Sequence, residues 1–171
     1  GARKIICRML DFLLAKYIVK VYPKNIWAPS YLGQDSFKVL ANYHPYYIID
    51  GDDKTAWVEG VPGDGIGERL YLYFQDLNVQ KCLYFRVKNG YQKSPTLFAQ
   101  NNRIKEIRIT IAKDFRDRYR QIHILEDKLG WQEIKIEGPF DFNKITIEIL
   151  SVYEGEKYDD TCISEIEICI D

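Results

Sequence analysis

From Leu70 onward the chain repeats one pattern, in which an apolar residue recurs at every second position. Leu70, Leu72 and Phe74 alternate with Tyr71 and Tyr73, and Leu83, Phe85 and Val87 follow with the same period. Ile107, Ile109 and Ile111 come next, then Ile122 and Ile124, Ile134 and Ile136, Ile145, Ile147 and Ile149, and finally Ile166, Ile168 and Ile170. A period of two places every apolar side chain on one face of an extended strand, whereas a helix would scatter them around its axis. Tyr17 to Tyr22 alternates in the same way. Short strands at intervals of roughly 10 to 14 residues, separated by Gly, Asn, Asp and Pro, predict an all-β sandwich or jelly roll. Ala56 and Val58 flank Trp57, which places it on a strand of the core. His123, between Ile122 and Ile124, is expected to face outward, and His44, beside Pro45, to sit in a turn.

Only the opening segment reads as helical. Ile6, Met9, Leu10, Leu13 and Tyr17 share one face at three-to-four spacing, with Arg3, Lys4, Arg8 and Asp11 elsewhere. The expected organisation is a helical extension over residues 1–20 and one sandwich over 21–171, since 171 residues with 46% hydrophobic content suffice for one core. No apolar run reaches the roughly 18 residues of a membrane span. Ile5 to Val21 is interrupted by Arg8, Asp11, Lys16 and Lys20, and it lacks the small-residue cleavage site of a signal peptide.

Twenty-four basic and 25 acidic residues leave a net charge of −1, without the basic footprint of a nucleic-acid binder. The four cysteines, Cys7, Cys82, Cys162 and Cys169, form no CxxC pair, and the two histidines add too little for a zinc site. Along one strand Cys162 and Cys169 would stand roughly 23 Å apart, too far to bond to each other. Two readings stay open: a Cys7–Cys169 bridge joining the ends, or four reduced thiols.

The richest chemistry lies in Asp50-Gly51-Asp52-Asp53-Lys54-Thr55. Glycine permits a tight turn that aims a carboxylate, backbone carbonyls and a threonine hydroxyl at one centre. Hard oxygen donors of that kind suit calcium, and Asp50 with the distant Glu165 would balance its charge. The alternative is an Asx turn with a solvated acidic surface.

The run DGDDKTAW and the late ISEIEI resemble the metal turn and terminal strand of the discoidin family, also called the coagulation factor 5/8 type C fold. The resemblance implies a discoidin-like jelly-roll β-sandwich with structural calcium. It places the ligands on Tyr47, Asp50, Asp52, Thr55, Ser164 and Glu165. More narrowly, TAWVEGVPGDGIGE, NGYQKS, NNRIKEIRI and VYEGEKYDDTCISEI resemble, in that order, the discoidin-like glycan-binding domains attached to bacterial NAD glycohydrolases. This covers roughly Tyr22 to Asp171. It implies a secreted or surface-exposed bacterial protein and a translocation module without the hydrolase, for which the chain has no room.

Two loop segments carry the amide, carboxylate, guanidinium and aromatic groups that hold sugars. Glu59 and Asp64 belong to the first, and Asn89, Tyr91, Lys93, Asn101, Asn102 and Arg103 to the second. Tyr91 is the expected stacking ring, with Glu59, Asn101 and Arg103 as hydrogen-bonding partners. Gly63-Asp64-Gly65-Ile66-Gly67 is neither a GxGxxG fingerprint nor followed by Lys-Ser/Thr, and reads as a wide loop. No serine or cysteine sits in a nucleophile motif, so no catalysis is expected. Lys113 to Arg120, KDFRDRYR, is either a solvated strand edge or a locally basic surface for anionic glycans or membranes. The expected protein is a monomeric, non-catalytic glycan-binding module for attachment. The alternative is a module that docks a host or envelope protein through its loops or N-terminal helix.

Overall fold

The computed structural model describes residues 18–35 and 43–171. The helical segment expected before residue 18, and Cys7 with it, lies outside the described residues. The chain forms two five-stranded antiparallel sheets packed face to face. The first contains β1 (Val19–Val21), β3 (Trp57–Val58), β5 (Cys82–Asn89), β8 (Trp131–Glu137) and β10 (Cys162–Ile170). Its order is β1-β10-β5-β8, with β3 also pairing β10. The second contains β2 (Asn25–Trp27), β4 (Arg69–Val79), β6 (Arg103–Lys113), β7 (Arg116–Ile124) and β9 (Phe140–Tyr153), ordered β2-β4-β9-β6-β7. The all-β sandwich is thus as the alternation predicts. The first sheet already begins at Val19, which pairs Ile170.

The period-two residues make the core. Leu70, Leu72, Leu83, Phe85, Val87, Ile107, Ile109, Ile111, Ile145, Ile147 and Ile149 are buried in a single cluster drawn from both sheets, closed by Ile166 and Ile168. Burying one such side chain stabilises the fold by roughly 1.5–3 kcal/mol. Trp57 is also buried, its Nε1–H donating to the Ser30 carbonyl at 3.2 Å.

The alternation misleads at β7. Ile122 and Ile124 face solvent, while His123 turns inward, its ring stacked at 6.1 Å on Tyr119 and its Nε2 2.7 Å from the Tyr119 hydroxyl. The register explains the reversal. His123 pairs Ile107 and Tyr119 pairs Ile111, both inward positions, so the isoleucines between must point out. β7 is an edge strand, where one partner is missing and apolar exposure costs less.

Two short helical turns were also missed. Helix α1 (Pro95–Gln100) starts at Ser94, whose hydroxyl accepts from the Leu97 N–H, with proline in its first turn. A 3-10 turn, Pro45–Ile49, is capped by His44, whose Nδ1 accepts from the Tyr46 N–H at 3.2 Å. Ser-Pro and His-Pro are helix-start signals, but segments this short carry no periodicity.

Candidate functional site

Thr161 and the first residues of β10 tie together two loop systems. The Thr161 N–H donates to Glu59 Oε1 at 3.3 Å, and its hydroxyl donates to the Asp64 carbonyl at 2.7 Å. One step further on, the Gly90 N–H donates to the Cys162 carbonyl. Ser164 then bridges the next loop, donating to the Gly90 carbonyl and accepting from the Gln92 N–H.

The Asp50 turn lies against the same strand. Gly51 takes the left-handed conformation, φ +74°, that a Cβ would oppose. The Asp52 N–H sits between two carboxylates, 2.9 Å from Asp50 Oδ1 and 3.0 Å from Glu165 Oε1. The Thr55 hydroxyl reaches Asp50 Oδ2 at 2.6 Å and the Asp52 carbonyl at 2.9 Å. Asp53 is paired with Lys88 instead, at 2.6 Å. Burial, with the neighbouring Asp50 carboxylate, pushes Glu165 up to about 8. Asp50 and Glu165 form no salt bridge among the described residues, and two such carboxylates suit a divalent ion, the remaining donors being neutral oxygens. Of the six implied ligands, this geometry brings Asp50, Asp52, Thr55 and Glu165 together. The Tyr47 carbonyl accepts the Asp50 N–H at 3.5 Å, at the edge of the cluster. Ser164 is implied through its backbone carbonyl, which is separate from the hydroxyl that donates to the Gly90 carbonyl. No group of three or more His, Cys, Asp or Glu side chains suited to a metal occurs among the described residues, so any ion here depends on carbonyl and hydroxyl oxygen.

Most of the expected sugar ligands are internal struts. Glu59 is 0% exposed, its carboxylate accepting the Val61 and Thr161 N–H groups; burial pushes it up to about 7. Gly65 lies so close that a Cβ there would stand 2.5 Å from Glu59 Cγ. Asn89, also fully buried, joins the sheets by donating to the Ile104 carbonyl and accepting the Ile104 N–H. Arg103 grips Asp127 through two nitrogens, at 2.9 and 2.7 Å, and donates to the Asn101 and Glu154 carbonyls over the Phe98 ring. Asn101 closes α1, its amide donating to the Leu97 carbonyl. Tyr91 is half-buried, packed beside Ala56, Val58 and Cys162, with its hydroxyl donating to the Lys54 carbonyl. Lys93 is exposed. Polar residues in loop sequences read as ligands because composition is silent about burial; here the backbone consumed them.

An open cleft does lie beside this layer. Its volume is about 410 Å³, and Gly63, Asp64, Asn102, Glu154, Gly155, Tyr158 and Asp159 line it. Asn102 braces the floor, donating to the Asp159 carbonyl at 2.6 Å and accepting the Gly155 N–H at 2.7 Å. Gly155 fits only because its missing Cβ would lie 2.4 Å from the Gln100 carbonyl oxygen. Sequence reasoning caught Asp64 and Asn102 but missed Glu154, Tyr158 and Asp159. The run EGEKYDD between two isoleucine-patterned strands was the available signal. Cys82, Cys162 and Cys169 form no disulfide among the described residues.

The architecture recurs in solved structures. A family 32 carbohydrate-binding module from Clostridium perfringens NanJ, determined with galactose, is 15% identical, with a TM-score of 0.60 over 85% of this chain and 92% of that one. The F5/8 type C domain of a Bacteroides fragilis protein is 13% identical, with a TM-score of 0.58 over 86% and 91%. A chitosan-binding module from a Paenibacillus sp. IK-5 chitosanase/glucanase is 14% identical, with a TM-score of 0.56 over 86% and 95%. At these identities the likeness is one of fold, a two-sheet β-sandwich shared with those domains. No curated protein matches the sequence. The NAD glycohydrolase translocation F5/8 type C domain matches residues 17–169, and the chain belongs to that family.

Proposed function

We propose that the protein is a non-catalytic carbohydrate-binding module that attaches a secreted or surface-exposed bacterial protein to glycans. The observation that carries this reading is the open cleft between the Gly63 and Glu154–Asp159 loops. It offers carboxylates and the exposed Tyr158 ring on a frame braced by the buried Asn102. Carboxylates match sugar hydroxyls, and an aromatic ring matches the apolar face of a pyranose. The neighbouring folds were determined with galactose, with GalNAc-β-1,3-galactose, or from a chitosan-binding module, which supports the same class of ligand here.

Calcium is proposed as a structural ion held by Asp50, Glu165, Thr55 and carbonyls of the turn. Its chemistry would be charge neutralisation, fixing the turn against β10. A glycan-array screen of the folded chain, in calcium and in chelator, tests the reading. Discrete hits that Tyr158→Ala abolishes are expected; a blank array from folded protein overturns it.

A further inference from the structure

We infer that the outer face of the second sheet is a separate, shallow binding surface for an anionic polysaccharide, with Trp27 as its stacking platform. One cross-strand row runs through all five strands. Trp27 pairs Tyr71, Tyr71 pairs Thr146, Thr146 pairs Thr110, and Thr110 pairs Arg120. At roughly 4.8 Å between strands, the row spans about 19 Å, long enough for an oligosaccharide.

The face is built from the positions that alternate with the core, and its composition is unusual for a solvated sheet. Trp27 is 52% exposed, and Tyr71 backs it at 5.3 Å between ring centroids. An exposed tryptophan forgoes a large burial gain and marks a contact surface. The next two rows add cations. Lys144 lies over Tyr71 at 4.8 Å and Tyr73 at 5.5 Å, and makes no ion pair among the described residues. Arg69 and Arg108 share one carboxylate, Glu148, at 3.2 and 2.8 Å. Arg120, exposed, reaches only the exposed Asp117, at 3.6 Å. At the far end Arg108, Arg120, Gln121 and Ile122 frame a depression of about 520 Å³.

Lys144, Arg69, Arg108 and Arg120 against the two carboxylates Glu148 and Asp117 leave a positive surplus on a chain whose overall charge is near zero. Charge complementarity therefore selects a polymer carrying carboxylate or sulfate groups, and the flat ring selects sugar over a bare polyanion. Hydroxyls of Thr146 and Thr110 lie between the ring and the guanidinium, placed for sugar hydroxyls. The basic run ending in Arg120, ambiguous in sequence, becomes one end of this row. The surface is distinct from the loop cleft, which is lined by carboxylates and would repel the same ligand.

Affinity electrophoresis of the whole chain through gels containing polygalacturonate, dextran sulfate or neutral dextran tests the inference, with oligothymidylate as a competing polyanion. Retardation in one or both anionic sugars and none in dextran is expected; which one responds separates carboxylate from sulfate chemistry. Trp27→Ala and Lys144→Gln should each weaken it about tenfold, and Asp159→Asn in the cleft should leave it unchanged. Lys144→Gln keeps the length of a half-buried side chain that makes no ion pair among the described residues, so the test stands even if Trp27→Ala folds poorly. Retardation that survives both variants, or equal competition by oligothymidylate, overturns the inference, as does no retardation in either anionic sugar.

Discussion

The space between the sheets and the layer at the entry to β10 are equally buried and are built in opposite ways. Between the sheets, isoleucine, leucine and phenylalanine meet without polar atoms, and any of them tolerates a neighbour of similar shape. Beside β10, Glu59, Asn89, Asn102, Arg103, Thr161 and Ser164 are buried together, and each has partners at fixed positions. No buried side-chain nitrogen or oxygen lacks a hydrogen bond among the described residues. The core is therefore fixed by volume, and the polar layer by direction. Loops that must hold a cleft open cannot bury enough apolar surface, so directed hydrogen bonds set their shape.

Removing one partner from the polar layer should cost as much as a cavity in the core. Arg103→Met strips the Asn101 and Glu154 carbonyls of their donor and leaves the exposed Asp127 to water, and should lower stability by about 3 kcal/mol, as urea denaturation will show. A loss below that of a core Ile109→Val change, roughly 0.5–1.5 kcal/mol, would break the comparison. Asn89→Ala should follow at about 2–3 kcal/mol, because the Ile104 N–H and carbonyl are left buried and unpaired.

Glu59 sharpens the contrast through pH. Its folded value, about 7, lies above the usual 4.5, because burial disfavours the charge and Asp160 and Glu68 add to it. The native state thus holds this proton more tightly than the unfolded chain. The stabilisation is complete below about 4.5 and is lost as the pH rises through 7. Denaturation midpoints of the parent should fall over that window relative to Glu59→Gln; parallel curves would refute the assignment.

Calcium should raise the parent's melting temperature by mass action, about 2.7 kcal/mol at a hundredfold excess over Kd. In Glu165→Gln that shift should vanish. A calcium shift that persists in the variant would place the ion elsewhere. The smallest effect belongs to β7, where Ile124→Ser, at an exposed edge position, should stay within about 0.5 kcal/mol.

The contrast also explains what could be read in advance. Leu70 to Phe74 or Ile145 to Ile149 reveal their facing because the period is local to each strand. His123 defeats the same rule, since on a two-isoleucine strand either face could be inward, and only pairing with Ile107 decides. Among site residues, the Asp50 turn and Glu165 were legible as oxygen chemistry and do meet. Asn89 and Arg103 were legible as polar loop residues, yet their partners, Ile104 and Asp127, lie 15 and 24 residues away.

The sequence by itself determined a two-sheet sandwich and an oxygen-rich turn, because alternation and turn chemistry act over a few residues. Only the tertiary structure decided which polar groups would be consumed inside and which left facing solvent. Glu154, Tyr158 and Asp159 line a cleft, and Trp27 joins Arg120 across five strands, because sheet register, set between segments distant in the chain, brings them together.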